Sequence, residues 1–209
     1  MRIPPAKICV YILIARDSSE EAPSNRRILR CADHFLSREA RQGPAPPGKK
    51  PKPYFEIVRA EGMKPFFAPD VGLHFSVSHS GKYWVCALSS QAVGIDIQSR
   101  VCEYERGIAT RYFHPDEHEY LTRVGYSDFF RIWTAKESYV KYTGEGINDN
   151  FQTFSSVIGN CITDTINGAQ IRFLPVDADY DLCLCAAQIE KTQMIFLDNA
   201  FMEYEKTCP

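Results

Sequence analysis

Three polar residues inside otherwise apolar segments are the first candidates for chemistry in this chain. Asp96 lies in the apolar run 93–98, and a strand there turns Asp96 and Gln98 to the face opposite the isoleucines. Glu137 and Lys141 are four residues apart, so a helix places them on one face. A carboxylate at the end of an apolar strand is costly to bury unless it is paired or bound to a metal ion. The spacing alone also fits a solvated aspartate and an exposed Glu–Lys pair.

A third segment of interest is 75–81, with the sequence FSVSHSG. Small hydroxyl groups, a histidine and a glycine at the end of a strand can offer hydrogen-bond donors to phosphate oxygens. The alternative is a plain hairpin turn built from serine and glycine.

The composition describes an ordinary globular protein of 209 residues, with 44 % hydrophobic and 24 % charged residues. A net charge of −2 favours neither nucleic acid nor a membrane surface as partner. Basic residues outnumber acidic ones between 26 and 52, which suits a small polyanionic ligand or a solvated face. The eight cysteines contain no CxxC pair, and no secretion signal is apparent. We therefore expect a reduced, cytoplasmic protein.

Hydrophobic periodicity predicts the elements that must position these residues. We predict helices over 24–37 and 104–113, a helix starting at Pro115, and a long helix over 128–142 that ends at Gly144 and Gly146. We predict strands over 7–15, 74–78, 83–89, 92–98, 151–158, 169–174, 182–189 and 194–197. The second, third and fourth of these strands should form an antiparallel meander, and the proline-rich stretch 42–53 should be a loop. This order of elements predicts an α+β fold.

Taken in order and spacing, the segments SVSHSG, GID and WTAKESYVK resemble the signature of the 4′-phosphopantetheinyl transferases of the larger, surfactin-synthetase-activating type. The resemblance covers roughly the whole chain and is clearest over 64–146. It implies two similar α+β lobes related by a pseudo-twofold axis. We place the lobe with the coenzyme A phosphate contacts at 1–95, and the lobe with the metal site and the catalytic helix at 96–209.

The resemblance also implies an activity. Such an enzyme transfers the 4′-phosphopantetheine arm of coenzyme A to a serine of an apo acyl or peptidyl carrier protein and releases adenosine 3′,5′-bisphosphate. Asp96, Glu137 and, more weakly, Gln98 would hold Mg²⁺. Glu137 would also help to deprotonate the carrier serine, directly or through water, and Lys141 would stabilise or protonate the leaving phosphate. We expect a monomer.

The same match implies a set of contacts to coenzyme A. Ser78 and His79 should contact its phosphates, and Lys64 should face the pyrophosphate. Arg27 and Arg30 correspond to basic residues for the 3′-phosphate, although a shift of one residue would replace them by Arg26 or Cys31. Lys136 also matches the signature and is assigned to the cofactor side with its role open.

Two departures from the family pattern keep other functions in view. Many relatives carry a third acidic ligand at the position of Gln98, so this site has one negative charge fewer, and water could take the place of the amide. Relatives also have a long helix over 37–63, where this chain has a loop whose lysines Lys49, Lys50 and Lys52 could substitute. The alternatives are a coenzyme A- or nucleotide-binding module with lost or weak turnover, and a protein-interaction domain.

Overall fold

The computed structural model describes residues 6–14, 24–42, 55–61, 63–101, 105–145 and 149–198. Its α-helices are α1 Ser24–Gln42, α2 Glu105–Tyr112, α3 Pro115–Arg123 and α4 Phe129–Thr143, and a 3₁₀ helix covers Asp149–Thr153. Its strands are β1 Ala6–Ile14, β2 Glu56–Val58, β3 Phe66–Ala68, β4 His74–Ser80, β5 Tyr83–Ser89, β6 Val93–Ser99, β7 Val157–Ile158, β8 Cys161–Ile162, β9 Thr165–Ile166, β10 Ala169–Phe173, β11 Tyr180–Ala186 and β12 Ile189–Leu197. The fold is α+β, as predicted.

Two four-stranded sheets form the frame of the described structure. The first has the order β12-β1-β5-β4, in which β1 runs parallel to β12 and antiparallel to β5. The second has the order β6-β11-β10-β9, and all its pairs are antiparallel. Two short hairpins, β2–β3 and β7–β8, lie outside these sheets.

Alternating side chains build the core, as expected for strands with one face on each side. Val10, Val85, Ile95 and Leu184 are buried together, so one face of each sheet contributes to a common apolar core. The opposite face of the first sheet packs against α1 through a second apolar cluster. The opposite face of the second sheet packs against α4, where Cys183 and Cys185 are buried as small apolar groups.

Local sequence explains where helix α3 begins and where helix α4 ends. His114 caps α3, Pro115 takes its first position, and the Glu117 side chain accepts a bond from the His114 amide. Helix α4 ends at Gly144, which adopts a left-handed conformation with φ 82°.

Most predicted elements are confirmed to within a few residues, but two predictions are wrong and two elements have other bounds. The meander is wrong because β6 leaves β5 and pairs with β11 in the second sheet. The strand predicted over 151–158 is a 3₁₀ helix followed by the short strand β7. The predicted strand over 182–189 ends at residue 186, and Ile189 begins β12. Helix α1 extends to Gln42, five residues beyond its predicted end.

Several sequence predictions concern the arrangement of the chain rather than its elements. The proline-rich loop and its three lysines lie outside the described residues. The division into 1–95 and 96–209 stays a prediction, while β12 from the second part pairs with β1 of the first. Within the described part of the chain, no helix is both long and apolar enough to cross a membrane.

Candidate active site

A glycine allows helix α4 to lie directly on strand β6. A Cβ atom added at Gly94 would lie 3.0 Å from the Lys141 carbonyl carbon, and closer still to the Ser138 carbonyl oxygen and the Tyr142 nitrogen. Only a residue without a side chain fits this approach. The helix face that carries Glu137 and Lys141 is thereby held against the strand that carries Asp96.

Asp96 lies at this junction and is only 4 % exposed. Its Oδ1 accepts hydrogen bonds from Lys141 Nζ at 2.6 Å and from Ser78 Oγ at 2.7 Å. Lys141 Nζ also donates to Ser78 Oγ at 3.0 Å. Burial raises the pKa of Asp96, and the charge and hydrogen bond of Lys141 oppose that rise. Hydrogen bonds therefore join Asp96, Lys141 and Ser78 at this junction.

Glu137 is the second buried carboxylate of the site. Burial and, to a lesser extent, the nearby charge of Asp96 raise the pKa of Glu137 to about 7, although the charge of Lys141 lowers it. A carboxyl group whose pKa lies close to neutrality is suited to accept a proton at physiological pH.

Both Glu137 and Lys141 line a cleft of about 500 Å³. Lys64 also lines this cleft and donates a hydrogen bond to the Val93 carbonyl at the start of β6. Burial lowers the pKa of Lys64 to about 8, and the charge of Lys141 contributes to the shift. The cleft thus combines two acidic residues with three basic ones, and Phe75 and Val140 provide apolar walls; the charged residues are Glu137, Glu145, Arg59, Lys64 and Lys141.

The donor set suits a magnesium ion. The Oδ2 atom of Asp96 is buried and has no hydrogen-bond partner among the described residues. Asp96 and Glu137 are close enough for the charge of one to raise the pKa of the other, and a divalent cation would relieve that repulsion. Magnesium commonly takes one or two protein carboxylates and completes its shell with phosphate oxygens and waters. Within the described ranges, no group of three or more His, Cys, Asp or Glu side chains is placed to hold a metal ion.

Other predicted residues lie on the far side of strand β4. His79 follows Ser78 and is exposed, and because successive residues of a strand face opposite ways, it points away from Asp96. It stands across from Trp84 on β5, and the Arg27 guanidinium lies 6.0 Å from the centre of the Trp84 ring. Arg30 is one helical turn along α1 and half-buried. These basic residues therefore form a second group, separated from Asp96 by a strand at the edge of its sheet.

Gln98 lies two positions after Asp96 on β6, so both side chains are on the same face of the strand. It is partly exposed, whereas Asp96 is buried. Whether its amide oxygen is a metal ligand stays a prediction.

Lys136 is not brought to the site. Its side chain is fully buried, with Nζ 2.8 Å from Glu117 Oε2 and donating to the Phe154 carbonyl at 2.6 Å. Glu117 also accepts bonds from the amide and hydroxyl of Ser156 at 2.7 and 2.8 Å. In this arrangement Lys136 ties α4 to α3 and to the segment before β7, which is a structural role in place of the predicted contact to coenzyme A.

Sequence reasoning missed two serines that contact β6. The Ile95 amide donates to Ser76 Oγ at 3.1 Å, and the Ser99 amide donates to Ser80 Oγ at 2.9 Å. The alternation of serine at 76, 78 and 80 was visible in the sequence as one face of a strand. The contact of these serines with β6 could not be seen in the sequence, because the predicted meander paired β6 with β5.

Comparison with known proteins connects this geometry to a family. The chain is 43 % identical over an alignment of 163 residues to the 4′-phosphopantetheinyl transferase gsp of Aneurinibacillus migulanus, and the match covers 67 % of each chain. It belongs to the 4′-phosphopantetheinyl transferases. The model of the 4′-phosphopantetheinyl transferase superfamily matches residues 92–195, the range that contains Asp96, Glu137 and Lys141.

Two further 4′-phosphopantetheinyl transferases are similar to the chain. The enzyme psf-1 of Bacillus pumilus is 34 % identical over 157 residues, covering 68 % of this chain and 67 % of the relative. The enzyme Sfp of Bacillus subtilis (strain 168) is 31 % identical over 124 residues, covering 54 % of this chain and 55 % of the relative. The predicted family, its Sfp type and the enzyme class are confirmed. The matches span about half to two thirds of the length of these transferases.

Proposed function

We propose that this protein transfers the 4′-phosphopantetheine arm of coenzyme A to a serine of an apo acyl or peptidyl carrier protein. The reaction depends on Mg²⁺ and releases adenosine 3′,5′-bisphosphate. The observation that carries the proposal is that Glu137 and Lys141 line one cleft, and that Lys141 donates a hydrogen bond at 2.6 Å to the buried Asp96 behind it. The family of the chain provides the substrate class.

The chemistry assigns a separate task to each residue. Glu137 accepts the proton of the carrier serine, whose oxygen forms a bond to the phosphorus that bears the pantetheine arm. The bond from that phosphorus to the bridging oxygen of the pyrophosphate breaks, and the bridging oxygen leaves with adenosine 3′,5′-bisphosphate. Lys141 donates a hydrogen bond to the leaving phosphate as its charge develops. When bound by Asp96 and Glu137, magnesium would supply further positive charge for the same phosphates.

The two groups of basic residues suggest how coenzyme A lies. We place the pyrophosphate in the cleft near Lys64 and Ser78, and the 3′-phosphate near His79, Arg27 and Arg30. Since β4 is an edge strand, a ligand can pass around it from one face to the other. The distribution of positive charge on both sides of β4 supports this placement.

The proposed architecture is two lobes related by a pseudo-twofold axis, acting as a monomer in the cytoplasm. Each four-stranded sheet has one long helix on its outer face, α1 in one case and α4 in the other, which supports the pseudo-symmetry. The described cysteines are free thiols, which agrees with a reducing compartment.

Mass spectrometry of an apo carrier protein, incubated with coenzyme A and Mg²⁺, tests the proposal. The wild-type protein should add one phosphopantetheine mass, whereas Asp96→Ala and Glu137→Ala should add none while remaining folded by circular dichroism. A coenzyme A-binding module without turnover would show thermal stabilisation by coenzyme A but no mass change. Undiminished transfer by either variant would remove the assignment of its carboxylate.

Gln98 offers a separate test of the metal site. If its side chain faces the metal, Gln98→Glu adds a negative charge there and should lower the Mg²⁺ concentration at half-maximal rate. An unchanged magnesium titration would show that residue 98 does not face the metal.

A further inference from the structure

The strand that carries Asp96 is an edge strand of its sheet. Among the described strands, β6 pairs through its backbone with β11 only, and β4 pairs with β5 only. One row of β6 amides therefore points away from its own sheet. Edge strands with unsatisfied amides need a partner or a cover.

Alternate serines of β4 provide that partner. Ser76 Oγ accepts from the Ile95 amide and Ser80 Oγ accepts from the Ser99 amide. Between them, Ser78 Oγ donates to the Asp96 carboxylate. The bonds of Ser76 and Ser80 thus attach to β6 on either side of Asp96.

We propose that Ser76 and Ser80 are positioning residues that hold strand β6 and so fix the carboxylate oxygens of Asp96. The proposal rests on the proposed function, because it assigns Asp96 to the metal. Ser76 is 3 % exposed, so water cannot readily replace its bond to the Ile95 amide. Without these bonds, the described contacts that still hold β6 include the bond from Ser78 to Asp96 and the bond from Lys64 to the Val93 carbonyl.

Loss of the Ser76 or Ser80 hydroxyl group should weaken metal binding more than coenzyme A binding. His79 points to the other face of β4, and Arg27 on α1 lies over Trp84 across from His79, so the contacts proposed for the 3′-phosphate should survive. Removal of groups that orient metal ligands typically reduces metal affinity by about 10- to 100-fold. We expect Ser76→Ala and Ser80→Ala to raise the half-saturating Mg²⁺ concentration by about tenfold.

A matched control is available in the same sheet. Ser89 is also fully buried and also accepts a backbone bond, from the Gln91 amide at 3.1 Å, but that bond stays within its own turn. Ser89→Ala therefore reproduces the loss of a buried hydroxyl without touching β6. Ser80→Thr keeps the hydroxyl group and, unlike Ser80→Ala, should show the wild-type magnesium dependence.

Two measurements test the proposal without relying on transfer. Amide hydrogen exchange by NMR in metal-free protein should accelerate at Ile95 in Ser76→Ala and at Ser99 in Ser80→Ala, and at neither in Ser89→Ala. Calorimetric titration of Mg²⁺ into the coenzyme A-bound protein should show weaker Mg²⁺ binding in Ser76→Ala and Ser80→Ala than in wild type and Ser89→Ala. The coenzyme A affinity of Ser80→Ala, whose altered residue does not line the cleft, should be unchanged. If wild-type protein fails to load any carrier, the proposed function fails while both measurements still decide the positioning role. Magnesium affinity in Ser76→Ala and Ser80→Ala equal to that in Ser89→Ala would overturn the proposal.

Discussion

Substitution of Gly94 by alanine is the sharpest test of how the site is assembled. The new Cβ would lie inside ordinary contact distance of three backbone atoms of α4, the most distant of them at 3.0 Å. Backbone atoms cannot rotate away, so α4 must move off β6 by on the order of 1 Å. A displacement of this size at a reacting group can reduce the rate by about 100-fold. Overpacking of this kind costs about 1–3 kcal/mol of stability.

The assay combines urea unfolding with the single-turnover rate of carrier loading. Gly94→Ala should remain folded and lose about two orders of magnitude in rate. Gly107→Ala is the control, because Gly107 lies in helix α2 and a Cβ there meets nothing within 4 Å. This control should keep its rate and be stabilised by up to about 1 kcal/mol. A wild-type rate in Gly94→Ala, or an equal loss of rate in Gly107→Ala, would show that the close approach of α4 to β6 does not position the site residues.

Two further predictions concern buried lysines. Lys136→Met leaves the carboxylate of Glu117 buried without its cation, so urea unfolding should show a loss of about 3–5 kcal/mol, and added Glu117→Gln should recover part of it. Coenzyme A affinity per folded molecule should not change, and a selective loss of that affinity would restore Lys136 as a cofactor contact. Burial lowers the pKa of Lys64 from its ordinary value of 10.5 to about 8. Between pH 8 and pH 10.5, the unfolded chain therefore still carries a proton on Lys64 that the folded protein has released. In ligand-free protein, stability relative to Lys64→Met should therefore rise across this window, by at most about 3 kcal/mol, and a flat difference would contradict the burial of the charge.

Local patterns were sufficient to predict much of the structure. The ends of α4 follow from its helical periodicity and from Gly144, and the start of α3 follows from Pro115. Glu137 and Lys141 share a helix face because of their spacing alone. These features depend on neighbouring residues, which a single sequence displays directly.

Features that depend on distant partners could not be predicted in this way. Asp96 meets Lys141 and Ser78 only because β6 pairs with β11, and two adjacent strands such as β5 and β6 give no sign that they separate. The signature around Lys136 indicated a functional residue, but the Lys136 side chain is paired with Glu117. Glu117 is in turn bound by Ser156, and both residues come from other parts of the chain. Gly94 looked like an ordinary strand residue, because the helix that touches it begins 35 residues later, at Phe129.

The pairing of the last described strand with the first has a consequence for how the chain matures. Lys7 on β1 is in register with Lys191 on β12, so the first sheet gains its fourth strand only after almost the whole described chain has left the ribosome. Such distant pairing is slow to form, and until it does one edge of β1 has no neighbour from β12. Premature termination before residue 189 would leave that edge available to other chains even though every residue of the site had been translated. Synthesis of β12, and not only of the segment that carries Asp96, Glu137 and Lys141, is therefore needed to cover this edge of β1.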